Sequence, residues 1–156
     1  MSAKPVVLVV GGSRGIGLSI VQQLLSGTAK FQACNVVSLS RSRPAELQET
    51  EKKAGDALAV LQGDATSLQD NQRAVQEAVK RWNKLDALVL NAGIMTSKRI
   101  ADEDPAGFAD VLNVNTVSLI SSLRAAIPEL RKQKGRVVFV SSGAAIGGTA
   151  GWGAYK

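Results

Sequence analysis

The sequence contains no histidine. That absence removes Ser-His-Asp catalysis, Cys-His catalysis and histidine-ligated zinc together, and leaves acid–base work to Tyr, Lys, Asp or Glu. A single cysteine, Cys34, excludes an internal disulfide framework. It stands just before the apolar run NVVSL, so a buried, inert thiol is expected rather than a nucleophile. Aromatic residues make up only 4% of the chain, too few to build stacking platforms for single-stranded nucleic acid. No apolar run approaches the roughly 20 residues needed to span a bilayer, so no membrane partner is expected. The opening MSAKPVVLVVGG lacks the length and small-residue cleavage site of a secretory leader. A soluble cytoplasmic protein is the expectation.

What is present suits one globular unit. A chain of 156 residues with 45% hydrophobic and 21% charged residues can bury a real core, and residues 1–156 read as a single domain. Lys and Arg number 19 against 13 Asp and Glu, a net charge of +6 that suits an anionic ligand. The basic residues are scattered. Their one dense cluster, Arg131, Lys132, Lys134 and Arg136, follows a helical stretch and reads as a solvated helix end, so no nucleic-acid partner is expected.

Short β-rich runs alternate with helix-period segments along the whole chain. The strand candidates are PVVLVV (5–10), ACNVVSLS (33–40), ALAVLQ (57–62), LDALVLN (85–91) and GRVVFVSS (135–142). Several are nearly continuous apolar runs, as strands covered on both faces of a parallel sheet require. The first helix carries the stripe Ile16, Ile20, Val21, Leu24 and Leu25 and stops at Gly27. A second, weaker helix follows Ser42, with Pro44 in its first turn; a third runs from about Ser67 with Leu68, Val75, Val79 and Trp82 on one face. A fourth opens at Asp104-Pro105, carries Phe108, Val111, Leu112 and Val114, and continues to about Pro128. This alternation predicts an α/β fold: a Rossmann-type, doubly wound parallel sheet with strand order 3-2-1-4-5.

The first strand runs into VVGGSRGIGLSI. A glycine turn that opens a helix gathers free N–H groups and the positive dipole end, ready for a phosphate. Neither G-x-G-x-x-G nor the phosphate-loop lysine is found; the spacing is G-x-x-x-G-x-G, at Gly11, Gly15 and Gly17, with Ser13, Arg14 and Ile16 between them. With this spacing, the chain resembles the short-chain dehydrogenase/reductase family. The family usually has threonine where this chain has Val10, so the hydroxyl that normally ties the turn down is absent.

The second strand ends SLSRSR. In Rossmann-type folds an acid at this position takes the ribose hydroxyls, whereas arginine accommodates a 2′-phosphate. Here Ser40, Arg41 and Ser42 stand in place of an acid, and Arg14 can approach from the glycine turn, so NADP(H) is expected over NAD(H). The resemblance further implies that Asp64, beside Ala65, bonds the adenine amino group. It also implies that Asn91-Ala92-Gly93 lets the cofactor lie against the sheet edge.

Reduction of a carbonyl by hydride needs a donor to the oxygen as charge develops there, and a proton source. A serine hydroxyl and a tyrosine phenol can supply both. Ser142 closes the fifth strand candidate and Tyr155 lies thirteen residues beyond it, the separation the family shows, which favours Ser142 over Ser141. Asn115 is an amide inside an apolar helix, a costly placement unless it bonds something; the resemblance makes it, rather than Asn113, the residue that holds a water in a proton relay. A free tyrosine titrates near ~10, too high for efficient proton exchange at neutral pH. A nearby cation must make it more acidic, and each tenfold gain in acidity takes about 1.4 kcal/mol of interaction. The family places a lysine four residues on and uses it also to hold the nicotinamide ribose. That position, 159, is beyond this sequence, and Lys156 beside Tyr155 would point about 100° away on a helix.

The resemblance therefore implies a family fold truncated just after the tyrosine, its C-terminal strands absent. It also implies a small-molecule carbonyl substrate and a homo-oligomer in the complete protein. Gly151-Trp152 before the tyrosine resembles the benzil reductase and sepiapterin reductase branch. Two readings stand: an NADPH-dependent reductase of a ketone, diketone or aldehyde, and a catalytically inert dinucleotide-binding fragment or interaction protein. A chain ending at the fifth strand would leave an unpaired edge and an apolar face exposed, which predicts aggregation or dependence on a partner.

Overall fold

The computed structural model describes residues 4–155. Five parallel strands form one sheet in the order β3-β2-β1-β4-β5. They are β1 (Val6–Val10), β2 (Asn35–Ser40), β3 (Leu58–Gln62), β4 (Ala87–Leu90) and β5 (Arg136–Phe139). Between them run α1 (Gly15–Ser26), α2 (Ala45–Ala54), α3 (Leu68–Trp82), α4 (Pro105–Leu112) and α5 (Ser118–Gln133). The doubly wound sheet expected from the strand–helix alternation is the fold observed.

The two-residue period of β1 explains how the sheet is covered. Val6, Leu8 and Val10 point into a core with Ala74, Val75 and Ala78 of α3 and Ala126 and Leu130 of α5. Val7 and Val9 point the other way, onto Leu18 and Val21 of α1 and Leu47 of α2. Every β1 residue is buried, which is why the run reads as unbroken valine and leucine. β5 differs: Val138 is 51% and Phe139 53% exposed.

Four sequence expectations change. The strands are shorter than their apolar runs; Ser141 and Ser142 lie beyond β5, whose pairing with β4 ends at Leu90↔Phe139. Pro44 caps α2 from outside instead of sitting in its first turn. The fourth helix neither runs unbroken nor stops at Pro128: a π-turn over Asn113–Val117 separates α4 from α5, and α5 continues through Pro128 to Gln133. A proline costs a helix its N–H bond, but Ala126 and Leu130, buried on either side of it, keep the last turns packed. Ile16 is 67% exposed and does not join the core stripe of α1, because it stands in the first turn above the strand ends.

Cys34 is buried, and desolvation, then the charge of Asp86, pushes its thiol pKa up against an opposing pull from Lys84. It is inert by that measure. The basic cluster at the end of α5 is exposed, with Lys132 paired to Glu129 at 2.7 Å. No helix among the described residues is long and apolar enough to cross a membrane.

Candidate active site

The C-terminal ends of the strands carry a groove with two connected lobes, and the glycine turn forms its floor. Gly11 has φ +89°, and a Cβ there would meet Ala92 N at 2.6 Å. Glycine is required both by that left-handed backbone and by the close approach. A Cβ on Gly17 would overlap Gly11 O and the Asn91 side chain, so Gly17 sets how tightly α1 packs under the turn. Although Val10 offers no hydroxyl, the turn is held: Gly11 N–H donates to Leu39 O at 2.8 Å and Asn91 Nδ2 donates to Gly11 O at 2.9 Å.

Gly15, at φ +54°, has nothing within 4 Å of a built Cβ and faces open space. The helix that starts there, α1, is preceded by Arg14 with no side-chain cap and has no acid in its first turn. Its positive end is therefore uncompensated and suited to an anion.

The first lobe, about 620 Å³, is lined by Ser13, Arg14, Ser40, Arg41, Ser42 and Asp64, with Gly11, Gly15, Ile16, Leu39, Gly63, Ala65, Asn91–Ile94 and Val114 completing it. Ser13 Oγ and Ser42 Oγ lie 3.4 Å apart, bringing the glycine turn and the β2 end together. Arg43 is paired with Glu51, and Arg73 with Asp70 at 2.9 Å. Arg14 and Arg41 have no carboxylate within ion-pair distance among the described residues. Asp64 Oδ1 accepts from both the N–H and the hydroxyl of Thr66 at 2.8 Å. Those bonds, helped by the charge of Arg41, hold its carboxyl below the ordinary range against a smaller opposing effect of burial.

The second lobe, about 650 Å³, shares Ile16 and Asn91–Ile94 with the first and continues past Asn115, Ser142 and Tyr155. Among the described residues, no charged side chain lines it. Asn115 makes the bonds its position demands: Oδ1 accepts from Ile94 N–H and Nδ2 donates to Ile94 O, both at 2.8 Å. It thereby clamps the chain leaving β4 to the π-turn. Asn113 is exposed and lies outside the lobe. Ser142 Oγ accepts from Ala144 N–H at 3.2 Å and caps the 3-10 turn Gly143–Ala145. Ser141 lines the lobe as well. Tyr155 N–H donates to Trp152 O at 3.1 Å, and the two rings meet edge-on with centroids 6.1 Å apart. Ser142 and Tyr155 face one lobe without a hydrogen bond between their hydroxyls. Lys156 lies outside the described residues.

Of the site residues expected from the sequence, only Gly17 lies beneath the groove instead of lining it. Others were missed. Asn71, fully buried in α3, donates to Ala65 O and Ser67 O at 2.8 Å and accepts from Ser122 Oγ at 2.7 Å, so it ties the Asp64–Ala65 loop to α5. The available signal was an amide on the same helical face as Leu68 and Val75. Ile94, Met95, Leu119 and Phe139 supply the apolar wall of the second lobe.

The sequence model for short chain dehydrogenase matches residues 5–156. The chain belongs to the short chain dehydrogenase family. An uncharacterized oxidoreductase of Schizosaccharomyces pombe is 34% identical over 155 residues, covering 99% of this chain and 60% of that protein. An uncharacterized oxidoreductase of Saccharomyces cerevisiae is 38% identical, with 96% of this chain and 58% of that one covered. Its crystal structure, described as a short chain dehydrogenase/reductase, superposes with a TM-score of 0.88 over 97% of this chain and 58% of its own. An NADH-dependent reductase solved with NAD superposes at 0.83 with 27% identity, over 98% of this chain and 66% of that one. The chain thus spans about 60% of the length of these two curated short chain dehydrogenase relatives.

Proposed function

We propose that this short chain dehydrogenase chain carries the NADP(H)-binding groove and the catalytic serine and tyrosine of a carbonyl reductase. The observation that supports the cofactor most directly is the pair of unneutralised guanidinium groups, Arg14 and Arg41, on either side of Ser13, Ser40 and Ser42. A 2′-phosphate needs cations and hydroxyl donors there and no competing carboxylate. The groove fits a dinucleotide for three further reasons: open space at Gly15, an uncapped helix end, and small residues at Ala92 and Gly93. When bound, the nicotinamide supplies the hydride that reduces the carbonyl carbon.

The protein's own part is to hold the carbonyl and deliver a proton. Ser142 Oγ donates to the substrate oxygen as negative charge builds on it, and Tyr155 hydroxyl transfers its proton to that oxygen. Asn115 fixes the backbone at Ile94 and supports the proton relay. The described lining of the lobe, apolar and neutral polar side chains, favours a neutral ketone, diketone or aldehyde over an anionic one. Gly151-Trp152, placed beside Tyr155, is the basis for the benzil or sepiapterin reductase branch. Exposed Ile120 and Ile127 on α5 support a homo-oligomer of the complete, cytoplasmic protein.

A second reading is cofactor binding without chemistry: Ser142 and Tyr155 share the second lobe without a hydrogen bond between their hydroxyls. NADPH oxidation with benzil separates the two. Turnover that falls by about a hundredfold or more in Tyr155→Phe, with NADPH affinity kept, is the expected result for a reductase. Binding without turnover, regained when the relatives' further residues are appended, assigns the chain to the second reading.

A further inference from the structure

Three consecutive peptide carbonyls at the end of β2 are each captured by a side chain. Gln62 Nε2, at the end of β3, donates to Arg41 O at 2.9 Å. Ser40 Oγ donates to Ser42 O at 3.0 Å, and Gln48 Nε2 of α2 donates to Arg43 O at 2.8 Å. The scaffold continues outward: Arg73 Nη2 donates to Gln62 O at 3.0 Å while held by Asp70, and Asp70 Oδ2 accepts from Asp64 N–H at 2.8 Å. A four-residue connection between a strand and a helix normally turns such carbonyls to water. Here side chains from three elements hold them, on the segment that presents Arg41 and Ser42 to the first lobe.

We propose that Gln62 and Gln48 are positioning residues that set the preference for a 2′-phosphorylated cofactor through Arg41 and Ser42; this rests on the NADP(H) reading above. Neither glutamine lines the groove, so neither touches the dinucleotide. Their effect is preorganisation. With its carbonyls fixed, the segment does not have to order itself around the phosphate, and the affinity that ordering would consume is retained. The rest of the groove, which holds what NADPH and NADH share, is built from the glycine turn and Asn91–Gly93 and does not depend on these bonds.

The test compares wild type, Gln62→Met, Gln48→Met, the double variant and Arg41→Ala, measuring dissociation constants for NADPH, NADH, 2′,5′-ADP and 5′-AMP. Methionine keeps the length of glutamine and removes the donor. The double variant is expected to bind NADPH and 2′,5′-ADP about tenfold more weakly, with NADH and 5′-AMP changed less than about twofold and each single variant in between. In an Arg41→Ala background the glutamine substitutions lose most of their effect. Parallel loss of both members of each ligand pair marks the glutamines as merely structural and overturns the proposal, as does unchanged NADPH affinity. Wild type that binds NADPH and NADH equally, with Arg41→Ala neutral, overturns the cofactor reading itself, and the proposal with it. Unbound midpoints of thermal unfolding and 5′-AMP binding by the single variants identify a variant that has not folded.

Discussion

The two ends of the groove are built differently. At the β2–β3 end β2 is buried along all but its first residue, and Asp64, Arg41, Ser42 and Arg43 are stitched by bonds from Thr66, Asp70, Gln62, Ser40 and Gln48. At the β4–β5 end, Ser142 and Tyr155 sit on short turns; Ile146 between them is 93% exposed, and Phe139 and Val140, which line the second lobe, are 53% and 38% exposed. On the proposed reading, cofactor recognition rests on the well-bonded end and the chemistry on the end with fewer bonds, so binding and turnover should respond to different substitutions.

The largest expected effects test that asymmetry in the core. Leu39→Ala, at a fully buried position of β2, should cost about 2–5 kcal/mol in chemical denaturation. Phe139→Ala on β5, a larger truncation at a half-exposed site, should cost about 1 kcal/mol or less. Equal costs would mean that β5 is covered in solution, and the two ends would no longer differ. The same exposure predicts association. Val138→Lys places a charge on the uncovered edge strand and should raise the monomer fraction in analytical ultracentrifugation.

Much of this was legible in the sequence, and the exceptions have a common cause. Apolar runs and glycine spacing are local signals, so strand order and the turn at Gly11–Gly17 follow from them, whereas the Asn91–Gly93 stretch stood out through its resemblance to a family motif. The π-turn at Asn113–Val117 leaves no local mark, and the Asn115 amide it carries bonds the backbone of Ile94, twenty-one positions away. Pro128 reads as a stop only until the packing of Ala126 and Leu130 is known. Ile16 fits a helical stripe in sequence, yet the stripe begins over the groove and not over the core. Gln48, Gln62 and Asn71 act on backbone carbonyls of other segments, and no periodicity encodes such partners.

A middle-sized effect sharpens the comparison from the well-built end. Asn71→Ala leaves the Ser122 hydroxyl and two carbonyls, Ala65 O and Ser67 O, without this partner in a buried site. The expected cost is about 1–3 kcal/mol. Because Ala65 lines the first lobe, 5′-AMP affinity should fall as well, while Tyr155 ring contacts with Trp152, read by tryptophan emission in a Trp82→Phe background, should not change.

The smallest effect is electrostatic. The Asp64 carboxyl is held below its ordinary value chiefly by the Thr66 N–H and hydroxyl, with the charge of Arg41 adding to them. A carboxyl depressed on folding stabilises the fold at pH values above its unfolded pKa, near ~3.9, and that stabilisation is lost as pH falls through the lower folded value. Asp64→Asn should therefore lower stability modestly near neutrality, flatten its dependence on pH below about 4 and converge with wild type in acid, as measured by urea midpoints across that range. Arg41→Ala should leave most of the acid sensitivity, since the Thr66 bonds outrank the arginine in holding the carboxyl acidic. If Arg41→Ala flattened the profile as fully as Asp64→Asn, the arginine would be committed to Asp64 instead of standing free for an anion. The β2–β3 end would then be a closed ion pair and not a phosphate site.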